Sequence, residues 1–443
     1  MFSFRSIAVF IAPAHHNPHN LPMLRVDSSD EGNMSSSAYE SSSASNAQKS
    51  ASWKDLLVLF FGLVIFRAMI TSIGFLSASM IDHSDPNALG MFAFRDGVAW
   101  LACDSEYYCE IARNGYPTEG YERRLIAFFP GYPLVTQLVA PFTSVENAMR
   151  IVSQITGVLA TLIVFAWAHR VGGRRVAWIT VVLVSVSTSA TFLSAGLADS
   201  LFFFWTALTL YCVTRRWFWL AALTCAGATA TRPNGLALAA MLGAVVLFTP
   251  TYSTITRRFA MACVFGFIGY SSALIYQGVL WARHDDPKIY FTMQKTWVDD
   301  YKRDHVERRA AEMNAIDQTY ASKLDRIMAK AKNRIDKPGA WNKVISYGLV
   351  VLTLAALAYP PPGLHRAWFV LPLFIWLLVQ VPDGGFRMNS LHRYMLAAPM
   401  LWLWVATTFD RKRWRWVLVS GALVSLSVQC YYAWMFTRGV WCG

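Results

Sequence analysis

Carboxylates are scarce in much of this chain, and where they fall is the first clue to chemistry. Asp96, Asp104, Glu106 and Glu110 lie in one stretch between Ile81 and Glu146, followed by the run Phe128-Phe129-Pro130-Gly131-Tyr132-Pro133. Between Glu146 and Asp285 there is a single acid, Asp199. Asp104 sits in Cys103-Asp104-Ser105-Glu106-Tyr107-Tyr108. An acid near a membrane surface and flanked by rings can act as a general base, taking a proton from an attacking hydroxyl. The plain alternative is a solvated loop acid. Asp199 opens an apolar run; acids at membrane depth are costly and usually functional, but an acid there could also be a helix N-cap.

Arginines supply the complementary chemistry. Arg232, in Thr231-Arg232-Pro233-Asn234-Gly235, lies between two apolar runs, where a guanidinium can fork onto a phosphate or simply snorkel to the interface. His392-Arg393-Tyr394 opens a later apolar run, and Gln294 and Trp297 come just after another. A cation beside an amide and an aromatic ring could clamp a lipid-linked phosphate and a sugar. Arg67 stands in the middle of the first apolar run. An Arg at a helix centre costs roughly 3 kcal/mol on insertion scales, so its expected partner is a buried acid or an anionic ligand.

The elements that must position these residues are membrane helices. Of 443 residues, 55% are hydrophobic and 15% charged, with abundant Trp, Tyr and Phe; soluble domains carry roughly 25% charged residues. The composition predicts an all-α integral membrane protein. About 20 apolar residues span a bilayer, and about eleven candidate runs are present. They are 56–75, 151–167, 176–194, 200–213, 218–230, 236–248, 261–280, 345–359, 367–381, 394–408 and 417–436. Several are short. The first 52 residues, Ser-rich after residue 28 and without periodicity, read as a disordered segment; residues 53–443 form the membrane domain.

Basic clusters at 169–175, 215–216, 257–258 and 411–413 come after runs two, four, six and ten. Placing them in the cytoplasm sends the large first acidic loop, Asp199, Arg232 and His392-Arg393 to the extracytoplasmic side. The stretch 283–343 falls on that side too, with 301–337 expected as a surface helix on the membrane or in water.

Net charge is +13, but the basic residues lie in short clusters between apolar runs. That favours acidic lipid head groups and cytoplasmic loops over nucleic acid as partner. No Walker or GxGxxG signature supports a cytosolic nucleotide site, and no HExxH or other clear metal spacing is present. Acids could hold a divalent ion, but their spacing does not require one. The seven cysteines show no CxxC pair; Cys103 and Cys109 read as free thiols, with a disulfide as the alternative.

Taken together, these strings resemble the PIG-V-like family, the second mannosyltransferase of GPI-anchor assembly and its bacterial relatives, among the GT-C membrane glycosyltransferases. Asp104, Tyr107 and Tyr108 match its Trp-Asp-x-x-Trp/Tyr-Tyr motif, with Cys103 where the family has Trp. Ala127 to Pro133 resembles FFPxYP, Asp199-Ser200-Leu201-Phe202 resembles Glu-Ser-Leu-Phe with Asp for Glu, and Thr231 to Gly235 resembles TRPxG. Gln294 with Trp297, and Arg393-Tyr394 with Pro399, also fit.

The resemblance implies a GT-C-like fold and transfer of mannose, or a related hexose, from a polyprenyl- or dolichyl-phosphate donor to a lipid or glycan hydroxyl, with inversion. It makes Asp104 the base and Arg232 and Arg393 the phosphate ligands. Asp199 and Gln294 would orient sugars or the loop, and Tyr107, Tyr108, Trp297 and His392 would complete the binding site. The setting would be the bacterial inner membrane, or the endoplasmic reticulum. A polytopic lipid or sugar transporter is the competing reading, although the inverted repeats common in transporters are not evident; a non-catalytic scaffold subunit is the third.

Overall fold

The computed structural model describes residues 51–81, 98–319, 322–335, 338–380, 390–410 and 412–442. Asp96, Arg411 and nearly all of the Ser-rich start lie outside them. The described residues are helical, with no β-strand element.

Long apolar helices frame the molecule. Among the described residues five are long and apolar enough to cross a membrane: α1 (Trp53–Ser79), α4 (Val145–Ser185), α8 (Ile255–His284), α11 (Pro338–Ala358, apolar from Trp341) and α15 (Arg415–Thr437). The starts of three carry side-chain caps. Ser52, Ser144 and Thr254 accept from the Lys54, Asn147 and Arg257 backbone N–H groups, at 3.3 Å each, satisfying donors that a helix start leaves orphaned. The runs expected at 151–167 and 176–194 correspond to two helical halves of α4, which meet at a kink at Gly173 (φ 80°, ψ 177°); the second half ends at Ser185. That positive-φ geometry is cheap only for glycine, so the chain bends beside the basic cluster.

Shorter apolar helices fill the centre: α5 (Asp199–Thr214), α6 (Phe218–Thr231) and α7 (Gly235–Phe248). At 14 to 16 residues they rise only about 21–24 Å, against about 30 Å of hydrocarbon. Eleven independent crossings therefore do not follow from helix length; a multi-pass bundle does. α4 packs on α5, α5 on α6, and α8 on α6 and α7. Two further short helices, α12 (Val370–Gln380) and α14 (Pro399–Thr408), pack on α7 and α4 respectively. Small buried residues permit this closeness: Ala221, Ala222, Cys225 and Ala228 are fully buried on α6, and in lipid small residues let helix backbones approach.

The two ends of the bundle differ. At one, Arg174 pairs bidentately with Asp55 at the start of α1 and Arg175 pairs with Asp410 at 2.8 Å, joining two of the basic clusters. At the other end of α1, about 33 Å along the axis, Ser77 Oγ donates to the Trp434 carbonyl and accepts from Arg438. The candidate site lies toward this second end, where Trp100 Nε1 donates to the Thr71 carbonyl and the Trp100 carbonyl accepts from Gly196.

Arg67 meets no acid among the described residues: Nε donates to Gln154 Oε1 at 2.9 Å and Nη2 to the Leu193 carbonyl. The long stretch after α8 carries helix over the described part of 301–337, where a surface helix is expected. It holds α9 (Ile289–Thr319), which packs on the turn Tyr121–Ala127, and α10 (Lys323–Ile335).

Candidate active site

Four of the sequence candidates meet in one ionic cluster. Asp199 opens α5, and its carboxylate receives Arg393 Nε at 3.0 Å on each oxygen and Arg393 Nη2 at 2.8 Å. Arg232 Nη1 donates to Asp199 Oδ1. Arg393 also reaches Asp104 Oδ2, from Nη1 at 3.3 Å and Nη2 at 3.4 Å. Asp199 is the first residue of α5, whose N-cap is Ala198, so the N-cap reading gives way to a buried ion pair. Nor does Arg232 snorkel: it is buried, with its guanidinium 4.9 Å from the Tyr394 ring centre.

Two acids and two arginines balance in charge, which is what makes burial tolerable; a lone buried charge would cost several kcal/mol. Burial by itself would depress the Arg393 guanidinium, but the Asp199 and Asp104 charges outweigh it and hold its pKa above the usual range. The rings of Phe192 and Trp441 flank it at 5.2 and 5.3 Å.

The two acids are not equivalent. The Asp199 side chain is 2% exposed and bonded by both arginines, whereas that of Asp104 is 18% exposed and, among the described residues, engaged through Oδ2. Asp104 stands at the mouth of the cluster, just before α2 (Ser105–Asn114). Arg232 likewise keeps donors in hand. A guanidinium has five N–H groups, and its hydrogen bonding among the described residues is the one from Nη1 to Asp199.

Local backbone holds these groups in place. Cys103 and Trp100 have φ of 60° and 67°, unusual for side-chain-bearing residues, and turn the loop over so that Trp100 is fully buried beneath it. Gly131 opens α3 (Gly131–Val139) against the Thr231-Arg232 turn; a Cβ there would meet the Ala230 carbonyl oxygen at 2.6 Å. The Phe-Phe-Pro-Gly-Tyr-Pro run and the Arg232 turn are thus in backbone contact. Tyr132 completes the anchor, its hydroxyl donating to the Met149 carbonyl at 2.8 Å.

The aromatic candidates converge on a different hub. Tyr107, Tyr108 and Trp297 lie 4.9, 5.3 and 5.9 Å from the Phe128 ring. Tyr108 is buried, and burial raises its phenol pKa; it braces Phe128 and Tyr132. Tyr107 is half-buried beneath Arg124, whose guanidinium is 5.5 Å from its ring. Gln294 sits half-buried on α9, one turn before Trp297, outside the ionic cluster. His392 rests between the Phe192 and Tyr432 rings with Nε2 3.1 Å from the Cys442 carbonyl, and the His392 carbonyl accepts from Ser189. Those contacts fix the turn that carries Arg393, in α13 (Leu391–Met395).

Sequence reasoning missed Trp100, Phe128 as a hub, Phe192 and Trp441. The run around Phe128 was visible; the ring placements under Arg393 had no local signal. Cys103 and Cys109 are free thiols, and burial, with Asp104 adding to it, raises the Cys103 pKa. Among the described residues no three His, Cys, Asp or Glu side chains converge as a metal site.

A family model described as mannosyltransferase (PIG-V) matches residues 78–275. That segment is similar to the mannosyltransferase family. It is somewhat less than half of the chain and contains Asp104, Asp199 and Arg232; Arg393 joins them from outside it. No curated protein matches the chain. Similar solved structures include ArnT from Cupriavidus metallidurans bound to undecaprenyl phosphate, 14% identical, with 85% of this chain and 76% of that one covered at TM-score 0.45. AglB, the oligosaccharyltransferase of Archaeoglobus fulgidus, in complex with an inhibitory peptide and a dolichol-phosphate, is 14% identical, with 88% and 56% covered at TM-score 0.41. The present chain spans about half the length of AglB.

Proposed function

We propose that the protein is a membrane glycosyltransferase of the GT-C kind. It moves mannose, or a related hexose, from a polyprenyl- or dolichyl-phosphate donor to a hydroxyl of a lipid or glycan acceptor on the extracytoplasmic face. The observation that carries this reading is the Asp104–Arg393–Asp199–Arg232 cluster, three of whose members lie in the segment that matches a mannosyltransferase family.

In this reading Asp104 is the general base. Its partial exposure and single engaged oxygen leave a carboxylate oxygen to take the acceptor's hydroxyl proton. The acceptor oxygen then attacks the sugar's anomeric carbon, the bond from that carbon to the phosphate oxygen breaks, and the lipid phosphate leaves with the electron pair. Negative charge grows on that phosphate, so a preorganised cation is worth most there. Arg232, with donors to spare, is the better placed phosphate ligand. Arg393, spanning both acids, serves first to hold Asp104 and Asp199 in register and second as a further cation. Tyr107 and Trp297 would face the sugar across the Phe128 hub, with Gln294 at its edge. No step requires a metal.

Membranes containing the protein, given labelled polyprenyl-phosphate-mannose, should yield a labelled glycosylated product that membranes lacking it do not. Carriage of intact donor across the bilayer without any new product would instead favour the transporter reading.

A further inference from the structure

The segment between α9 and α11 carries a surface that the transfer reaction does not use. α10 is two-faced. Leu324, Ile327 and Met328 share one stripe at the i, i+3, i+4 spacing of a single helix face, and all three are exposed. Over its thirteen residues the helix carries Lys323, Arg326, Lys330, Lys332 and Arg334 against one acid, Asp325. Lys330 Nζ lies 2.7 Å from Asp317 on α9, which ties α10 to its neighbour.

The next stretch of chain indicates what covers this face. The apolar segment Trp341–Ala358 is long enough to cross a membrane and opens on an exposed Trp. Tryptophan at such a position marks the boundary between hydrocarbon and water. α10 ends at Ile335, only a few residues before that Trp, so it sits beside the boundary. A helix with exposed Leu, Ile and Met on one face and an excess of Lys and Arg fits the head-group layer. Its apolar face reaches the acyl boundary, and its basic stems lie along the border with their charges at lipid phosphates.

We propose that α10 lies in the membrane plane and docks on an anionic lipid surface. Leu324, Ile327 and Met328 face the acyl chains, and Lys323 and Arg326 meet head-group phosphates. The sign of the charge selects anionic over zwitterionic lipid, because attraction of Lys and Arg to a negative leaflet adds to insertion near the surface. This surface is independent of the proposed mannosyl transfer.

The test uses the full chain in nanodiscs, with Met328→Cys carrying an environment-sensitive fluorophore in a background lacking the exposed Cys263. Lipids brominated on the acyl chain should quench the probe strongly in discs rich in phosphatidylglycerol. The quenching should fall at least about threefold in pure phosphatidylcholine, and likewise when Lys323→Glu and Arg326→Glu are combined. The neutral pair Lys323→Gln and Arg326→Gln should fall between parent and charge reversal, which guards against a folding defect in the reversed protein. Equal quenching in both lipids would overturn the proposal, since charge would then play no part. So would a probe open to aqueous iodide in anionic discs, or one shielded from iodide yet unquenched by lipid, which would mean that protein covers the face.

Discussion

Replacing Asp199 by Asn should be the most destabilising single change in the cluster. Asp199 is buried and receives hydrogen bonds from both Arg393 and Arg232. Asparagine keeps the shape but not the charge, so two buried guanidiniums would be left with only Asp104, which is partly exposed and contacts Arg393 through one oxygen at 3.3–3.4 Å. Breaking a buried pair by removing one partner costs about 3–5 kcal/mol. The more exposed Asp104 contact should be worth less than about 1 kcal/mol. The difference of at least about 2 kcal/mol is roughly a thirtyfold change in the folded-to-unfolded ratio. Reversible unfolding in mixed detergent, followed by tryptophan fluorescence, reads this directly. Adding Arg232→Gln to Asp199→Asn should recover part of the loss, because one orphaned cation is then gone. If Asp199→Asn is as stable as Asp104→Asn, or if the second change makes matters worse, the cluster is not held together by charge balance on Asp199.

Three further outcomes rest on particular contacts. Gly131→Ala should cost about 1–3 kcal/mol through overpacking, because its Cβ would meet the Ala230 carbonyl oxygen at 2.6 Å, whereas Gly62→Ala, with nothing within 4 Å, should be neutral; thermal unfolding of the pair decides this. Arg67→Met should destabilise by about 1–3 kcal/mol by leaving the Leu193 carbonyl and Gln154 Oε1 without their donor, and adding Gln154→Leu should restore much of it; the same unfolding assay applies. Arg232→Gln should weaken donor binding by about 10- to 150-fold, the loss of a charge-assisted contact of about 1.5–3 kcal/mol, measured as displacement of a labelled lipid-phosphate sugar; unchanged binding would remove Arg232 from the phosphate site.

The helices were legible in the sequence because lipid demands long apolar runs, and runs such as 218–230 and 236–248 emerge almost unchanged as α6 and α7. Lengths were read less well. The gap between the runs 151–167 and 176–194 marks the break that Gly173 makes with its positive φ, whereas the second run extends past the helix end at Ser185. Within 283–343 the mixed charges of 301–337 mark a surface helix, and helix is found there, although α9 begins earlier, at Ile289. The residues of the candidate site were legible by type, since acids and arginines stand out against an apolar background. Their pairing was not: Asp199 and Arg393 are 194 positions apart, and no local pattern says that the second acid is the first one's support rather than a helix cap. For Arg67 the cost of burying a cation suggests a charged partner, and among the described residues its guanidinium meets an amide oxygen and a backbone carbonyl instead of an acid.

The central claim is that Asp104, at the mouth of the cluster, takes the acceptor's proton. Transfer from labelled polyprenyl-phosphate-mannose should be measured for Asp104→Asn beside Glu106→Gln and Glu110→Gln, each at matched protein level in the membrane. General-base catalysis contributes about 10²–10⁴-fold, so Asp104→Asn should lose that much while donor binding persists, and the two Glu variants should stay near the parent. Near-parental transfer by Asp104→Asn, with loss of activity in Glu106→Gln instead, would contradict the account.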